Sequence, residues 1–82
     1  MSVAIASQVY PNGVVQFEVS CSLDLRIDCD LRLRDLCMKE GIPMIADITP
    51  TRWLLHVKME DCPRIKSQLG RILRPLVRGE IQ

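Results

Sequence analysis

Ten apolar residues stand at every second position from Val15 to Leu33: Val15, Phe17, Val19, Cys21, Leu23, Leu25, Ile27, Cys29, Leu31 and Leu33. The positions between them, Gln16, Glu18, Ser20, Ser22, Asp24, Arg26, Asp28, Asp30 and Arg32, are all polar. A period of two describes a strand with one buried and one wet face. Read as one strand, the run would span about 60 Å, more than a small domain can hold. The alternation must therefore break, and the place where it breaks decides the architecture.

Charge spacing locates the break near Arg26. Asp28 and Arg32, Asp30 and Arg34, and Asp35 and Lys39 are acid-then-base pairs four residues apart, the favourable orientation on a helix. Cys29, Leu33, Leu36 and Cys37 fall on one helical face. Asp28 or Asp30 is placed to cap the start, and Gly41 before Ile42 and Pro43 supplies the stop. The spacing predicts a strand up to about residue 26 and a helix over 29–40. The competing reading is a strand that continues to Leu33 in an extended dimeric sheet.

Before this run, Tyr10-Pro11-Asn12-Gly13 is a hairpin signal, because proline presets the first turn position and Asn-Gly tolerates positive φ. It predicts a strand over about 2–10 folding back on one that begins near Val14. Downstream, residues 44–48 form a short apolar run between Pro43 and Pro50, and Thr49-Pro50-Thr51 reads as a turn. Residues 52–59 alternate again. Trp53, Leu55, Val57 and Met59 share one face, and Arg52, Leu54, His56 and Lys58 share the other. Glu60-Asp61-Cys62-Pro63 opens a second helix along Ile65, Leu69, Ile72, Leu73 and Leu76. Pro75 is expected to end or bend that helix, leaving 76–81 as a tail or a final edge strand.

The predicted fold is α+β, with two helices on one face of an antiparallel sheet. The order is ferredoxin-like β-α-β-β-α-β preceded by an extra N-terminal strand, in a single domain over residues 1–82. The stretch from Leu54 to Pro63, followed by Ile65, Leu69, Ile72 and Leu73, resembles the strand–turn–helix of ACT-type regulatory domains. Arg64 stands where that family's turn has a glycine, and no such turn follows the first core strand. The resemblance covers about 20 residues closely and about 65 in topology. It implies dimers formed by sheet or helix edges, and in some cases amino-acid binding.

Composition narrows the function classes. Net charge is +1, so the chain as a whole is neither a polyanion binder nor an acidic tail. The charge is uneven, with four basic and seven acidic residues in 1–50 against seven basic and three acidic in 51–82. No stretch reaches the roughly 18 apolar residues that cross a bilayer. The first residues lack the cationic start and long apolar core of a signal peptide, so a cytoplasmic setting with reduced cysteines is expected. The cysteines at 21, 29, 37 and 62 are too widely spaced for a structural zinc site, and packing explains three of them better. Cys62, at the predicted start of the second helix, is the one candidate for a reactive thiol, and a cap-region residue without chemistry is the simpler reading. His56 has no companion for a triad or a metal site.

No glycine-rich phosphate loop, GxSxG, HExxH or paired-carboxylate motif is present. The expectation is therefore a non-enzymatic protein-binding module, an inhibitor or adaptor, with no cofactor and no metal. Its candidate contact residues are Arg64, Arg71, Arg74 and Arg78 on the second helix, Arg52 and Lys58 on the preceding strand, and Leu54 and His56 on the open sheet face. The expected partners are an acidic protein surface and a second copy of the chain. Nucleic acid held by the same arginines is an alternative, and small-ligand sensing of the ACT type is another.

Overall fold

A computed structural model describes residues 3–78, without the side chains of 47, 48, 77 and 78. The elements run β1 (Val3–Val9), β2 (Val14–Cys21), α1 (Arg26–Glu40), β3 (Met44–Thr49), β4 (Arg52–Lys58) and α2 (Cys62–Arg78). Single 3₁₀ turns at Leu23–Leu25 and Met59–Asp61 lead into the two helices.

Tyr10-Pro11-Asn12-Gly13 makes the expected hairpin. The Tyr10 N–H donates to the Val14 carbonyl at 2.9 Å, and Gly13 takes φ of 81°, which a side chain would resist. Asn12 Oδ1 accepts the Val14 N–H at 3.2 Å, as an Asx turn does. At the far end of α1, Gly41 adopts φ of 67°, and the Ile42 N–H reaches back to the Cys37 carbonyl at 3.0 Å.

The long alternation breaks at Ser22, four residues before the expected place, and α1 begins at Arg26 rather than 29. Neither Asp28 nor Asp30 caps it, because the residue at the cap position is Leu25. Pro75 does not end α2, which continues to Arg78. Proline has no N–H for the carbonyl four residues back, and nearby the Ile72 carbonyl accepts from the Arg32 guanidinium at 3.0 Å. Residues 76–78 are thus helical, and the rest of the expected final strand lies outside the described residues.

The sheet is antiparallel throughout, in the order β1-β2-β4-β3. This corrects the ferredoxin-like expectation in detail. The β2-α1-β3 unit straddles β4 as a split βαβ unit does, but β1 arrives from the N-terminal side and takes the edge beyond β2. Both helices cover one face. Val15, Phe17, Val19, Trp53, Leu55 and Val57 from the sheet meet Cys29, Leu33, Leu36 and Cys37 of α1 and Ile65, Leu69, Leu73 and Leu76 of α2. Met59, expected on that face, is exposed in the 3₁₀ turn. Among the described residues no polar or charged side chain is buried in this core.

Candidate functional site

α1 has two apolar faces. At about 100° per residue the even spacing of the alternation cannot stay on one side of a helix, so its members separate. Cys29, Leu33, Leu36 and Cys37 turn inward and are buried. Ile27, Leu31 and Met38 turn outward, and Leu23 in the preceding turn joins them; these four are between 61% and 84% exposed. Their 4-, 4- and 7-residue steps trace one line along the helix. Monomeric surfaces rarely carry such a row of large aliphatic side chains without use for it.

A cleft of about 300 Å³ lies beside the row, lined by Ile27, Asp30, Leu31 and Arg34 of α1 and by Ala46, Pro50 and Trp53 across from it. Its floor is polar and fixed. Asp30 accepts the Trp53 indole N–H at 2.9 Å and pairs with Arg34 at 2.8 Å. Burial alone would raise the Asp30 carboxyl, but the hydrogen bonds from Arg34 and Trp53 outweigh it and hold the group below its ordinary value.

The basic residues do not act as one patch. Arg64 is engaged by Glu40 of α1 and by Asp61, the latter at 3.3 Å. Gln68 Nε2 also donates to Glu40, at 3.2 Å, so this carboxylate clasps α1 to α2 and is held below its ordinary value by the Arg64 and Gln68 hydrogen bonds. Arg52 pairs with Glu18 across the sheet at 2.6 Å. Arg71 and Arg74 are exposed and meet no carboxylate among the described residues. Arg71 lines a shallow groove between the helices with Asp35 and Lys39. Arg78 closes α2, and its side chain lies outside the described residues. Lys58 is exposed at the end of β4, away from the helix layer.

On the open sheet face, Leu54 is half-buried and sits opposite Glu18 and Ile45, while His56 bonds Gln16 at 2.9 Å. These contacts partner the face across its own strands. The cysteines pack: Cys29 and Cys37 are buried, and Cys21 and Cys62 lie against the core. Burial pushes the Cys29 thiol up to about 12, with the neighbouring Cys21 adding to the rise, and burial also raises Cys21 and Cys37. Among the described residues no three His, Cys, Asp or Glu side chains gather as metal ligands. No helix of the described residues is long and apolar enough to cross a membrane.

The structure therefore separates the residues singled out from sequence whose side chains it describes, and among the described residues Arg71, Arg74 and Lys58 are exposed and meet no carboxylate. The row on α1 was missed. Its signal was present in the residues left over once Cys29, Leu33, Leu36 and Cys37 are assigned inward. No family model, curated protein or solved structure matches the chain. The resemblance to ACT-type domains rests on the strand–turn–helix alone.

Proposed function

We propose that this chain is a non-enzymatic protein-binding module that docks a partner on the outer surface of its helix layer. The observation that carries the reading is the exposed row Leu23, Ile27, Leu31 and Met38 on a helix whose other face is fully packed. Such a row fits an apolar helix or ridge on the partner. Arg71 and Arg74, uncommitted among the described residues, would form a rim that favours acidic residues around the partner's apolar centre. The row is preferred over an arginine-only contact because Arg52 and Arg64 are already spent on internal ion pairs.

The test is capture of binding proteins by the immobilised chain, with and without nuclease. Wild type is compared with Leu31→Asp and with Arg71→Glu/Arg74→Glu. Truncating or charging the centre of an interface costs about 2 kcal/mol or more, a loss of roughly thirtyfold. Leu31→Asp is expected to lose the partner, and the double charge reversal to weaken it in a salt-dependent way. Capture that survives Leu31→Asp overturns the reading. Capture that disappears with nuclease would replace it with nucleic-acid binding through the arginines.

A further inference from the structure

Only one of the two sheet edges is guarded. β3 is flanked by Pro43 and Pro50, and its pairing with β4 slips between Ile45 and Thr49. Prolines and register breaks are what keep an edge from recruiting another strand. β1 has none of them. Val-Ala-Ile-Ala-Ser-Gln-Val contains no charge, proline or glycine, and its register with β2 is unbroken over all seven residues.

The direction of its backbone groups follows from the hairpin. Tyr10 bonds Val14, and in an antiparallel ladder every second residue bonds the same neighbour, so Gln8, Ala6 and Ala4 face β2. Ile5, Ser7 and Val9 therefore aim their N–H and C=O groups outward, where no strand lies beside them among the described residues. The side chains agree. Ile5 and Val9 point to the helix side, paired with Val19 and Val15, yet they are 42% and 61% exposed because the helix layer covers Val3 at the start of β1 and leaves the rest of the strand open.

We infer that a second copy of this chain pairs on the β1 edge, antiparallel, about a two-fold axis at Ser7. In that register Ser7 faces its own mate, and Ile5 of each copy lies opposite Val9 of the other. The exposed aliphatic side chains cover one another and the outward backbone groups pair. The two sheets become one of eight strands with all helices on the same face. α2 lies on the β1 side of the helix layer, since α1 covers Ala46 and Trp53. The flank of α2 that overlooks the seam carries Lys66 and Gly70, with Arg74 nearer the outer surface of the helix. The two cations are long enough to turn to solvent, and nothing lies within 4 Å of a Cβ built on Gly70. The seam, from Ala4 to Val9, is about 20 Å long. Across sheet and helix layers it offers on the order of 800–1,000 Å² in total, which suits a dimer that dissociates on dilution. β1 lies outside the stretch that resembles ACT-type domains, and the inference does not depend on the row on α1.

The experiment is light scattering or sedimentation on the full chain over about a hundredfold range of concentration, with Ser7→Pro and Ile5→Lys alongside. Ser7→Pro deletes an outward N–H without removing a bond to β2, so circular dichroism should report an intact fold. Where it does not, Ile5→Lys and amide exchange carry the test. The mass should rise from 9.4 kDa toward twice that value in wild type and stay at 9.4 kDa in both variants. The Ile5, Ser7 and Val9 amides should exchange more slowly as wild-type concentration rises, while Ala6 and Gln8 remain unchanged. A wild type that stays monomeric throughout overturns the inference. So does a mass that grows past two copies, or a dimer of equal strength in both variants.

Discussion

Trp53 Nε1 donates to Asp30 Oδ1 over 2.9 Å, tying the start of β4 to the first half of α1. The indole body is buried in the core while its N–H needs an acceptor, and Asp30 supplies one at the rim of the helix layer. The contact requires residue 30 to be helical, with Asp30 turned toward the sheet edge and Leu31 turned outward. It is thus the local mark of where the alternation stops being a strand.

Asp30→Ala leaves the Trp53 N–H without its acceptor and removes one partner of Arg34. It should lower stability by about 1–3 kcal/mol, seen as a fall in the urea midpoint and a shift in tryptophan emission. Asp30→Asn keeps an oxygen that can accept the indole N–H, so it should lose less. An equal loss in the two variants would assign the effect to charge alone.

The pH dependence follows in sign. Asp30 and Glu40 are both held below their ordinary values in the folded chain. Groups depressed in this way contribute stability above the ordinary carboxylate range, and the contribution is lost as pH falls through their folded values. Unfolding curves taken from about pH 6 down to about pH 2 should show wild type losing more stability than Asp30→Ala over the acid limb. Parallel curves would remove Asp30 from the account.

Gly70 sits mid-helix, exposed, with open space where a Cβ would go. Its cost is conformational, because no described residue comes within 4 Å of a Cβ built there. Gly70→Ala should therefore stabilise the dilute chain by about 1 kcal/mol, read from thermal unfolding at low concentration. A destabilised variant would mean that the helix meets something at that position.

Cys29 and Cys37 are inside the core, and burial keeps the Cys29 thiol up to about 12. Neither should react with an alkylating reagent at neutral pH except through unfolding, so their labelling rates should fall together with added stability. Rapid labelling of Cys29 in the native chain would contradict the packing.

Much of this was legible beforehand, and for identifiable reasons. The hairpin was readable because Pro11, Asn12 and Gly13 each impose backbone geometry locally. The end of α1 was readable because Gly41 does the same. The i,i+4 pairs Asp30–Arg34 and Asp35–Lys39 formed as spaced, whereas Arg32 left Asp28 for the Ile72 carbonyl on α2, an acceptor forty residues away that no local spacing announces. The early break at Ser22 carried no local signal, since the alternation runs through it unchanged. The sheet order could not be read either, because a strand's neighbour depends on which edge is vacant. Arg52 and Arg64 looked free in sequence, and only the fold brings Glu18 and Glu40 beside them.

The most direct test compares Leu31→Asp with Leu33→Asp in one unfolding experiment. On a strand these residues share a face and would cost alike; on α1 they lie on opposite sides, one exposed and one fully buried. Leu31→Asp should leave stability within about 0.5 kcal/mol of wild type, as surface changes do, while Leu33→Asp should lose several kcal/mol or fail to fold. Equal losses at both positions would contradict the two-faced helix, and with it the docking row that rests on Leu31.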